Sequence, residues 1–304
     1  MTNKDYFIVD VFTEKRFGGN QLAVFCDGTG LHTKTMQAIA NEINYSETTF
    51  LLPPEKGGDY RVRIFTPAIE LPFAGHPLVG TGFTIVAELL KETAGKQTVV
   101  RMETGIGEIQ VTVSNLNRQE RFGYSVMTQP VPKVQSQWTH RGRLAKAFDL
   151  ESADLKRGLP IEVLYNGIPV MIVPVASLEV LKRLRVNMQT LDDIVKESGA
   201  KTILLFTTET VEATSAAHCR VYAPGAGVLE DAATGSANGP LGFYLARHNL
   251  IEVTELTSLI SEQGYEMNRP SKIHIELDTD SDKEVTGVRV GGGVMITGRG
   301  EIYI

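Results

Sequence analysis

The segment Glu230–Gly242, EDAATGSANGPLG, places an acidic pair, a Gly-Ser dipeptide and the start of an apolar helix in immediate succession. An earlier segment resembles it. Thr234–Phe243, TGSANGPLGF, aligns with Ala74–Phe83, AGHPLVGTGF, at a constant offset of 160 residues, the distance from Gly75 to Gly235. Three positions then coincide: Gly75 with Gly235, Gly82 with Gly242, and Phe83 with Phe243. The pattern indicates that one helix start occurs twice in the chain.

Two more pairs of segments follow the same order. Arg63–Pro67 and Arg220–Pro224 share the pattern Arg-[Ile/Val]-aromatic-x-Pro at an offset of 157, so the second copy has three extra residues before its glycine. We assign the acidic pair Glu230–Asp231 to this insertion. TGIGEIQV at Thr104–Val111 is echoed by TGRGEIYI at Thr297–Ile304. Together the matches predict a duplicated fold whose copies differ in the polar residues at their helix starts.

The bulk composition is that of a soluble globular protein. A chain of 304 residues can form two domains with substantial cores. Hydrophobic residues make up 42% and charged residues 22%, and no segment is long and apolar enough to span a bilayer. A net charge of −6 gives no electrostatic reason to expect binding to nucleic acid or to an anionic membrane.

The N-terminus and the cysteines favour a cytoplasmic location. The first residues, MTNKDYFIVDVF, lack the basic region and long apolar segment of a signal peptide. Cys26 and Cys219 are far apart and have no metal-type spacing, which suits a reducing compartment. We expect both to be small buried hydrophobic residues.

Hydrophobic periodicity predicts a strand-rich α/β protein in which each copy contains many short strands and one markedly apolar helix. The two helices are expected at Leu78–Leu90 and Leu241–His248. Thr128–Ser136 is the best linker candidate, so we predict domains at residues 1–127 and 128–304, with a last strand that can cross back to the first domain. Val288–Ile304 is expected to form two strands around Gly291–Gly293.

The duplicated helix starts are the predicted site of chemistry. Proline at the first helical position suits a helix beginning at His76-Pro77, and a helix that is apolar all round belongs inside a structure. Its free amides can bind an anion. Two such starts facing each other across a cleft would bind a carboxylate and exclude water, conditions that suit a carboxyl group to acid/base catalysis. The candidate side chains are His76, Asp231, Ser236 and Glu47.

Each candidate also has a purely structural interpretation. His76 could be a capping histidine, and Ser236 could be a helix N-cap. Glu47 follows a helix end at Asn44, and a glutamate at such a junction is commonly a surface residue.

Other kinds of chemistry have little support. Thr234–Gly239 is not a G-x-S-x-G elbow, which disfavours a serine hydrolase acting through Ser236. Gly225-Ala226-Gly227 lacks the third glycine of a dinucleotide site, and no phosphate-binding G-x-x-x-x-G-K-[ST] occurs. Histidine and acidic residues are not found at metal-ligand spacing. We therefore expect no cofactor and no metal.

Three motifs together resemble the phenazine biosynthesis PhzF family. They are Asn44–Thr48 (NYSET), Phe65–Pro77 (FTPAIELPFAGHP) and Glu230–Ala237 (EDAATGSA), and the resemblance extends from Asp10–Phe12 and Gly19-Asn20 to the closing glycine-rich segment. It implies a diaminopimelate-epimerase-like fold, in which two similar domains each wrap a mostly antiparallel sheet around a central helix. In that fold the active site lies between the domains.

The resemblance also implies roles for individual residues. Glu47 would be the acid/base that moves a proton between carbons, assisted by His76, Asp231 and Ser236. Gly75, Gly235, Asn20 and Thr234 would bind the substrate. Epimerases of this fold use a cysteine pair at the two helix starts, where this chain has Ala74 and Thr234, so two-thiol racemisation is disfavoured. The family often has proline where this chain has Ala232, a difference that affects the expected rigidity of the loop.

The leading hypothesis is a cofactor-independent isomerase acting on a small carboxylic acid, with a homodimer plausible from the resemblance. The alternative is a non-catalytic protein that kept the cleft and binds small acids.

Overall fold

The computed structural model describes residues 3–92 and 95–304. The strands are β1 (Asn3–Val11), β2 (Asn20–Phe25), β3 (Glu47–Leu52), β4 (Tyr60–Phe65), β5 (Glu70–Leu71), β6 (Thr98–Thr104), β7 (Gly107–Asn117), β8 (Phe122–Gln129), β9 (Lys133–Gln137), β10 (Glu162–Tyr165), β11 (Pro169–Pro174), β12 (Thr202–Thr207), β13 (Ala217–Ala223), β14 (Val228–Asp231), β15 (Leu256–Gln263), β16 (Ser271–Thr279) and β17 (Val285–Tyr303). The helices are α1 (Thr33–Ile43), α2 (Gly75–Thr84), α3 (Arg141–Ala147), α4 (Leu178–Arg183), α5 (Met188–Ser198) and α6 (Gly235–Arg247). A π-helical turn, Ile85–Leu89, continues α2.

The chain divides into two compact units. The first comprises Met1–Thr128 and Val290–Ile304, and the second comprises Gln129–Arg289. Strand β17 begins in the second unit and continues into the first.

In the first unit, strands form a closed ring around one helix. The ring runs β1, β2, β3, β4, β6, β7 and β8, and it closes because β17 pairs with both β1 and β8. Every residue of α2 is buried. A Cβ at Gly80 would lie 2.7 Å from Leu22 of β2, and one at Gly82 would lie 2.6 Å from Val111 of β7. Because these strands are on different sides of the helix, the helix lies inside the ring, and its glycines permit the close approach.

In the second unit, helix α6 packs against the sheet in the same manner. A Cβ at Gly242 would lie 2.7 Å from Ile275 of β16. Helices α3, α4 and α5 add a further layer, whose apolar residues form one core with the sheet. That core includes Leu144, Phe148, Leu181, Leu191, Ile194, Leu205 and Tyr222.

The two units repeat one pattern of strand pairing. In the first, β2 runs parallel to β3 and β4 parallel to β6, while β1–β2, β3–β4 and β6–β7 are antiparallel. In the second, β11 runs parallel to β12 and β13 parallel to β15, while β10–β11, β12–β13 and β15–β16 are antiparallel. The duplication inferred from the sequence is therefore present in the backbone.

The assignment of Glu230–Asp231 to the insertion is wrong. Leu71 pairs with Ile64 in the first unit, and Asp231 pairs with Val221 at the same place in the second. The extra residues lie earlier, around the 3₁₀ turn Pro224–Ala226. Glu230 therefore corresponds to Glu70, and both make the same bidentate ion pair. Glu70 binds Arg63 at 2.6 and 2.7 Å, and Glu230 binds Arg220 at 2.7 Å through both oxygens.

Three other expectations about segments fail in whole or in part. Thr104–Val111 spans the turn between β6 and β7, whereas its echo at residues 297–304 lies mostly within β17, so the two are not equivalent. Val285–Tyr303 forms one continuous strand, because the glycines at 291 and 293 allow close backbone contact rather than a turn. The proposed linker Thr128–Ser136 overlaps β9, which pairs with β10.

A buried glutamate anchors a loop in each unit. Glu103 of β6 accepts hydrogen bonds from the amides of Glu55, Lys56 and Gly58 at 2.5–3.0 Å. Glu262 of β15 holds the equivalent position and accepts from the amides of Val211 and Glu212. Since an unsatisfied buried carboxylate would be costly, these bonds fix the loop that precedes β4 or β13.

Cys219 is buried as expected, but Cys26 is only partly buried. Burial raises the pKa of both thiols to about 12, so neither is a reactive thiolate near neutral pH. Within the described residues, no helix has the length and apolar character needed to cross a membrane.

Substituting the glycines of the enclosed helices tests this packing. We expect Gly82→Ala and Gly242→Ala each to destabilise the protein by about 1–3 kcal/mol, because the added methyl group would overlap a strand side chain. Denaturant unfolding measures the change in free energy. Gly142→Ala in α3 is the matched control, since its Cβ would meet only Ser152 Oγ at 3.5 Å. Unfolding midpoints that fall no further for the two buried sites than for Gly142→Ala would contradict the enclosed packing.

Candidate active site

In the first unit, Glu47 stands at the start of a buried strand. Helix α1 ends at Asn44, whose left-handed φ of 55° is a conformation that asparagine tolerates well. After this turn β3 begins at Glu47, in parallel register with Leu22 of β2. The residue is only 8% exposed, so the surface interpretation of Glu47 is excluded.

His76 lies beside Glu47. It is the second residue of α2, is 2% exposed, and its Nε2 is 3.4 Å from Glu47 Oε2. At the other nitrogen of the imidazole, His76 Nδ1 is 3.1 Å from Asn20 Nδ2. The hydroxyl of Ser46 donates to Asn20 Oδ1, which leaves the Asn20 amide nitrogen to donate to Nδ1. This orientation of Asn20 favours the tautomer with the imidazole proton on Nε2, facing Glu47.

The charge state of His76 follows from its environment. Burial lowers its pKa to about 3, so the ring is neutral near pH 7. The Glu47–His76 contact therefore joins a carboxyl group to a neutral imidazole, although its geometry resembles that of an ion pair. A neutral imidazole with its proton on Nε2 can donate to a carboxylate or exchange that proton with it.

In the second unit, Asp231 and Thr234 lie at the start of α6. Asp231 ends β14 and is 5% exposed. Thr234 is the N-cap of the helix, and its hydroxyl donates to Asp231 Oδ2 at 2.6 Å. Ser236 is inside the helix, at its second position, and is 7% exposed. The interpretation of Ser236 as the N-cap is therefore wrong, because Thr234 holds that position.

The two helix starts are equivalent in position and different in chemistry. Ala74 caps α2 as Thr234 caps α6, and His76 corresponds to Ser236. Alanine has no side chain that can exchange a proton, and the threonine hydroxyl is already engaged with Asp231.

Within each unit, the predicted site residues lie together. Glu47, His76, Asn20 and Gly75 surround the start of α2, and Asp231, Thr234, Gly235 and Ser236 surround the start of α6.

Four buried amide side chains that sequence reasoning missed also bind the first turn of α6. Gln129 donates to the Gly235 carbonyl and Asn166 to the Ser236 carbonyl, each at 2.9 Å. Asn238 donates to the Thr234 carbonyl, and Gln263 contacts both Asp231 and Thr234. No local motif marks Gln129, Asn166 or Gln263, because their partners are distant in sequence. Asn238 binds a carbonyl of its own helix start, four residues earlier.

Comparisons with known proteins agree with this architecture. The family model described as phenazine biosynthesis-like protein matches residues 9–300. The trans-2,3-dihydro-3-hydroxyanthranilate isomerase of Pseudomonas fluorescens is 35% identical over 308 residues, which cover 99% of each chain.

Solved structures give the same result for the fold. A phenazine biosynthesis protein of the PhzF family from Bacillus anthracis covers 100% of both chains with a TM-score of 0.88 and 28% identity. A hydroxyproline epimerase from Agrobacterium vitis shares the fold with a TM-score of 0.69, over 99% of this chain and 92% of its own, at 12% identity. The diaminopimelate-epimerase-like class predicted from the sequence is confirmed. The chain belongs to the phenazine biosynthesis-like protein family, and it is an isomerase.

Proposed function

We propose that the protein moves a proton between two carbons of a small carboxylic acid, with Glu47 as the acid/base. Glu47 removes the proton from an activated carbon, the double bonds of the substrate shift, and the same proton or one from a neighbouring group is returned elsewhere. Atoms and electrons balance without an oxidant or a reductant.

The observation that carries this proposal is the buried contact between Glu47 and a neutral His76. Glu47 lies where little water can compete, which favours proton transfer to and from carbon. His76 Nε2–H can stabilise the carboxylate after it has lost its proton to the product. Asn20 holds the ring in the tautomer that this requires.

The helix starts supply a place for the substrate carboxylate. The first amides of a helix have no partner within the helix, and the dipole attracts negative charge by about 0.3–2 kcal/mol. Gly75 at the start of α2 and Gly235 at the start of α6 let a ligand approach these amides without hindrance from a side chain. Ser236 adds a hydroxyl that can bind the same carboxylate.

We further propose that residues 1–127 and 128–304, with the last strand crossing back to the first domain, form the two domains of the family fold, and that one site is shared between them. In this proposal Asp231, with Thr234, acts on the substrate opposite Glu47. Support comes from the duplication itself, since each unit has a buried helix start with only part of the polar set.

The relatives support a choice of substrate class. The Pseudomonas fluorescens protein is named for trans-2,3-dihydro-3-hydroxyanthranilate, a small carboxylic acid. We propose this compound, or an acid of similar size with an activated C–H bond, as the first substrate to test.

Replacing the proposed base should abolish proton transfer. We expect Glu47→Gln to lower the rate by about 10²–10⁴-fold, because glutamine cannot accept a proton. NMR in deuterated water measures enzyme-dependent deuterium at carbon, with the anthranilate compound as substrate. Glu42→Gln, an exposed change on α1, is the control and should keep full activity. Incorporation by folded Glu47→Gln at the wild-type rate would rule out Glu47 as the base.

A double-mutant cycle tests whether the two helix starts serve one reaction. Asp231→Asn should lower kcat by about 10–100-fold, and its effect should not multiply with that of Glu47→Gln, because groups that act in one step are strongly non-additive. Ser236→Ala should chiefly raise KM, since it removes a substrate hydrogen bond. Fully multiplicative losses in Glu47→Gln/Asp231→Asn would argue against a shared site.

The charge state of His76 is testable by pH. A buried neutral histidine with a pKa of about 3 stays unprotonated in the folded state down to strongly acidic pH, whereas an unfolded histidine takes up a proton near pH 6.5. Its contribution to stability is therefore complete above about pH 6.5 and declines as the pH falls toward 3. Side-chain ¹⁵N NMR at pH 5, assigned with His76→Gln, should show a neutral Nε2–H ring. An imidazolium signal for His76 at pH 5 would contradict the assignment.

A further inference from the structure

Gln263 is a fully buried amide that makes four hydrogen bonds around the Asp231 loop. It is the last residue of β15 and has no exposed surface. Its Nε2 donates to the Asp231 carbonyl at 2.7 Å and to Thr234 Oγ1 at 3.1 Å. Its Oε1 accepts from the Thr234 amide at 3.1 Å and from Asn238 Nδ2 at 3.2 Å. One side chain thus binds both ends of the loop from Asp231 to Thr234.

These bonds determine the direction of the Thr234 hydroxyl. Because Thr234 Oγ1 accepts a hydrogen bond from Gln263 Nε2, its own O–H can donate elsewhere, and Asp231 Oδ2 accepts that hydrogen bond at 2.6 Å. Gln263 therefore orients the hydroxyl, and the hydroxyl in turn holds one oxygen of the Asp231 carboxylate.

The backbone around the loop supports the same arrangement. Ser271 Oγ donates to the Ala232 carbonyl at 3.0 Å. Gly264, directly after Gln263, has φ 79°, and a Cβ there would lie 2.5 Å from the same carbonyl. Only glycine permits this close approach, so the end of β15 is shaped to receive the loop.

The first unit has no such amide at the equivalent place. In the second unit the strand register pairs Cys219 with Gln263. In the first unit it pairs Arg61 with Glu103, and the pair one residue further along these strands is the one equivalent to Cys219 and Gln263. Thr104 is therefore the counterpart of Gln263. The hydroxyl of Thr104 donates instead to the Gly107 carbonyl in its own turn. The amide is thus found in the unit that contains Asp231, whereas the first unit has Leu71 at the position of that aspartate.

We propose that Gln263 is a positioning residue of the reaction, which acts through Thr234 to hold the Asp231 carboxylate in its catalytic orientation. The inference rests on the proposed function, in which Asp231 takes part in proton transfer. Gln263 itself touches neither the substrate nor the reacting atoms.

The test uses two independent changes and one rescue. Gln263→Met removes both polar ends of the amide at similar size, Thr234→Val removes only the hydroxyl, and Thr234→Ser restores it. We expect Gln263→Met and Thr234→Val each to lower kcat by about tenfold or more with KM changed less than about twofold, because orientation is lost while the helix amides and Ser236, which hold the substrate carboxylate, remain. Thr234→Ser should recover most of kcat. Ser261→Ala is the matched control, since it removes a buried hydroxyl on the same strand that is hydrogen-bonded to Cys219 Sγ.

A second measurement does not depend on activity. In protein labelled with ¹³C at aspartate carboxyl carbons, the Asp231 resonance, assigned with Asp231→Asn, should shift in Gln263→Met and Thr234→Val and return in Thr234→Ser. If Gln263→Met does not fold, Thr234→Val and its rescue decide the matter. An unmoved carboxyl resonance, or wild-type kcat in both variants while Asp231→Asn is impaired, would overturn the positioning role. Full activity in Asp231→Asn would instead refute the proposed part of Asp231 in proton transfer, and the carboxyl resonance in Gln263→Met and Thr234→Val would still report whether Gln263 orients Asp231.

Discussion

A helix without a polar face can exist in water only if other elements cover all of its sides, and this constraint shapes the first unit. Ring closure by β17 covers α2 completely, and Gly80 and Gly82 let the strands approach the helix backbone. Enclosure has a cost at the helix start, since the first amides and the side chains beside them are removed from water. Polar groups must therefore be supplied there, and in this unit they are Glu47, His76 and Asn20.

Comparing the two units separates structural residues from chemical ones. The ion pair Arg63–Glu70 of the first unit has an equivalent in Arg220–Glu230 of the second, and the loop anchor Glu103 has an equivalent in Glu262. Because both units have these interactions, we assign them a structural role. The differences cluster at the helix starts. His76 corresponds to a serine in the second unit, Leu71 to an aspartate and Thr104 to a glutamine. The two copies have therefore diverged at the place where we propose that a ligand binds.

What the sequence could predict was local. The apolar helices and the duplication of the helix start rest on neighbouring residues, and the structure has both. The exact starts differ from the prediction, since α2 begins at Gly75, two residues before Pro77, and α6 begins at Gly235, six residues before Leu241. The inserted segment was misplaced because an offset between two motifs does not say where within the interval the extra residues lie; only the pairing of Asp231 with Val221 does. The echo at residues 297–304 failed because a short glycine pattern fits a turn and a twisted strand equally well. Gln263 is 32 residues from Asp231 and 29 from Thr234 in sequence, and no periodicity reveals which side chain an amide will meet over such a distance.

The neutral state of His76 has a consequence for how charge is handled. A cationic histidine would pair firmly with Glu47 and hold it as a carboxylate, which would weaken it as a proton acceptor. A neutral ring leaves Glu47 able to take up a proton, but it also supplies no positive charge to balance a substrate carboxylate. On the proposed mechanism that charge must fall to the backbone amides at the starts of α2 and α6, which cannot titrate and do not compete for the proton. The side chains are then left to move protons while the helix starts hold the anion, and this separation requires the burial that enclosing an apolar helix provides.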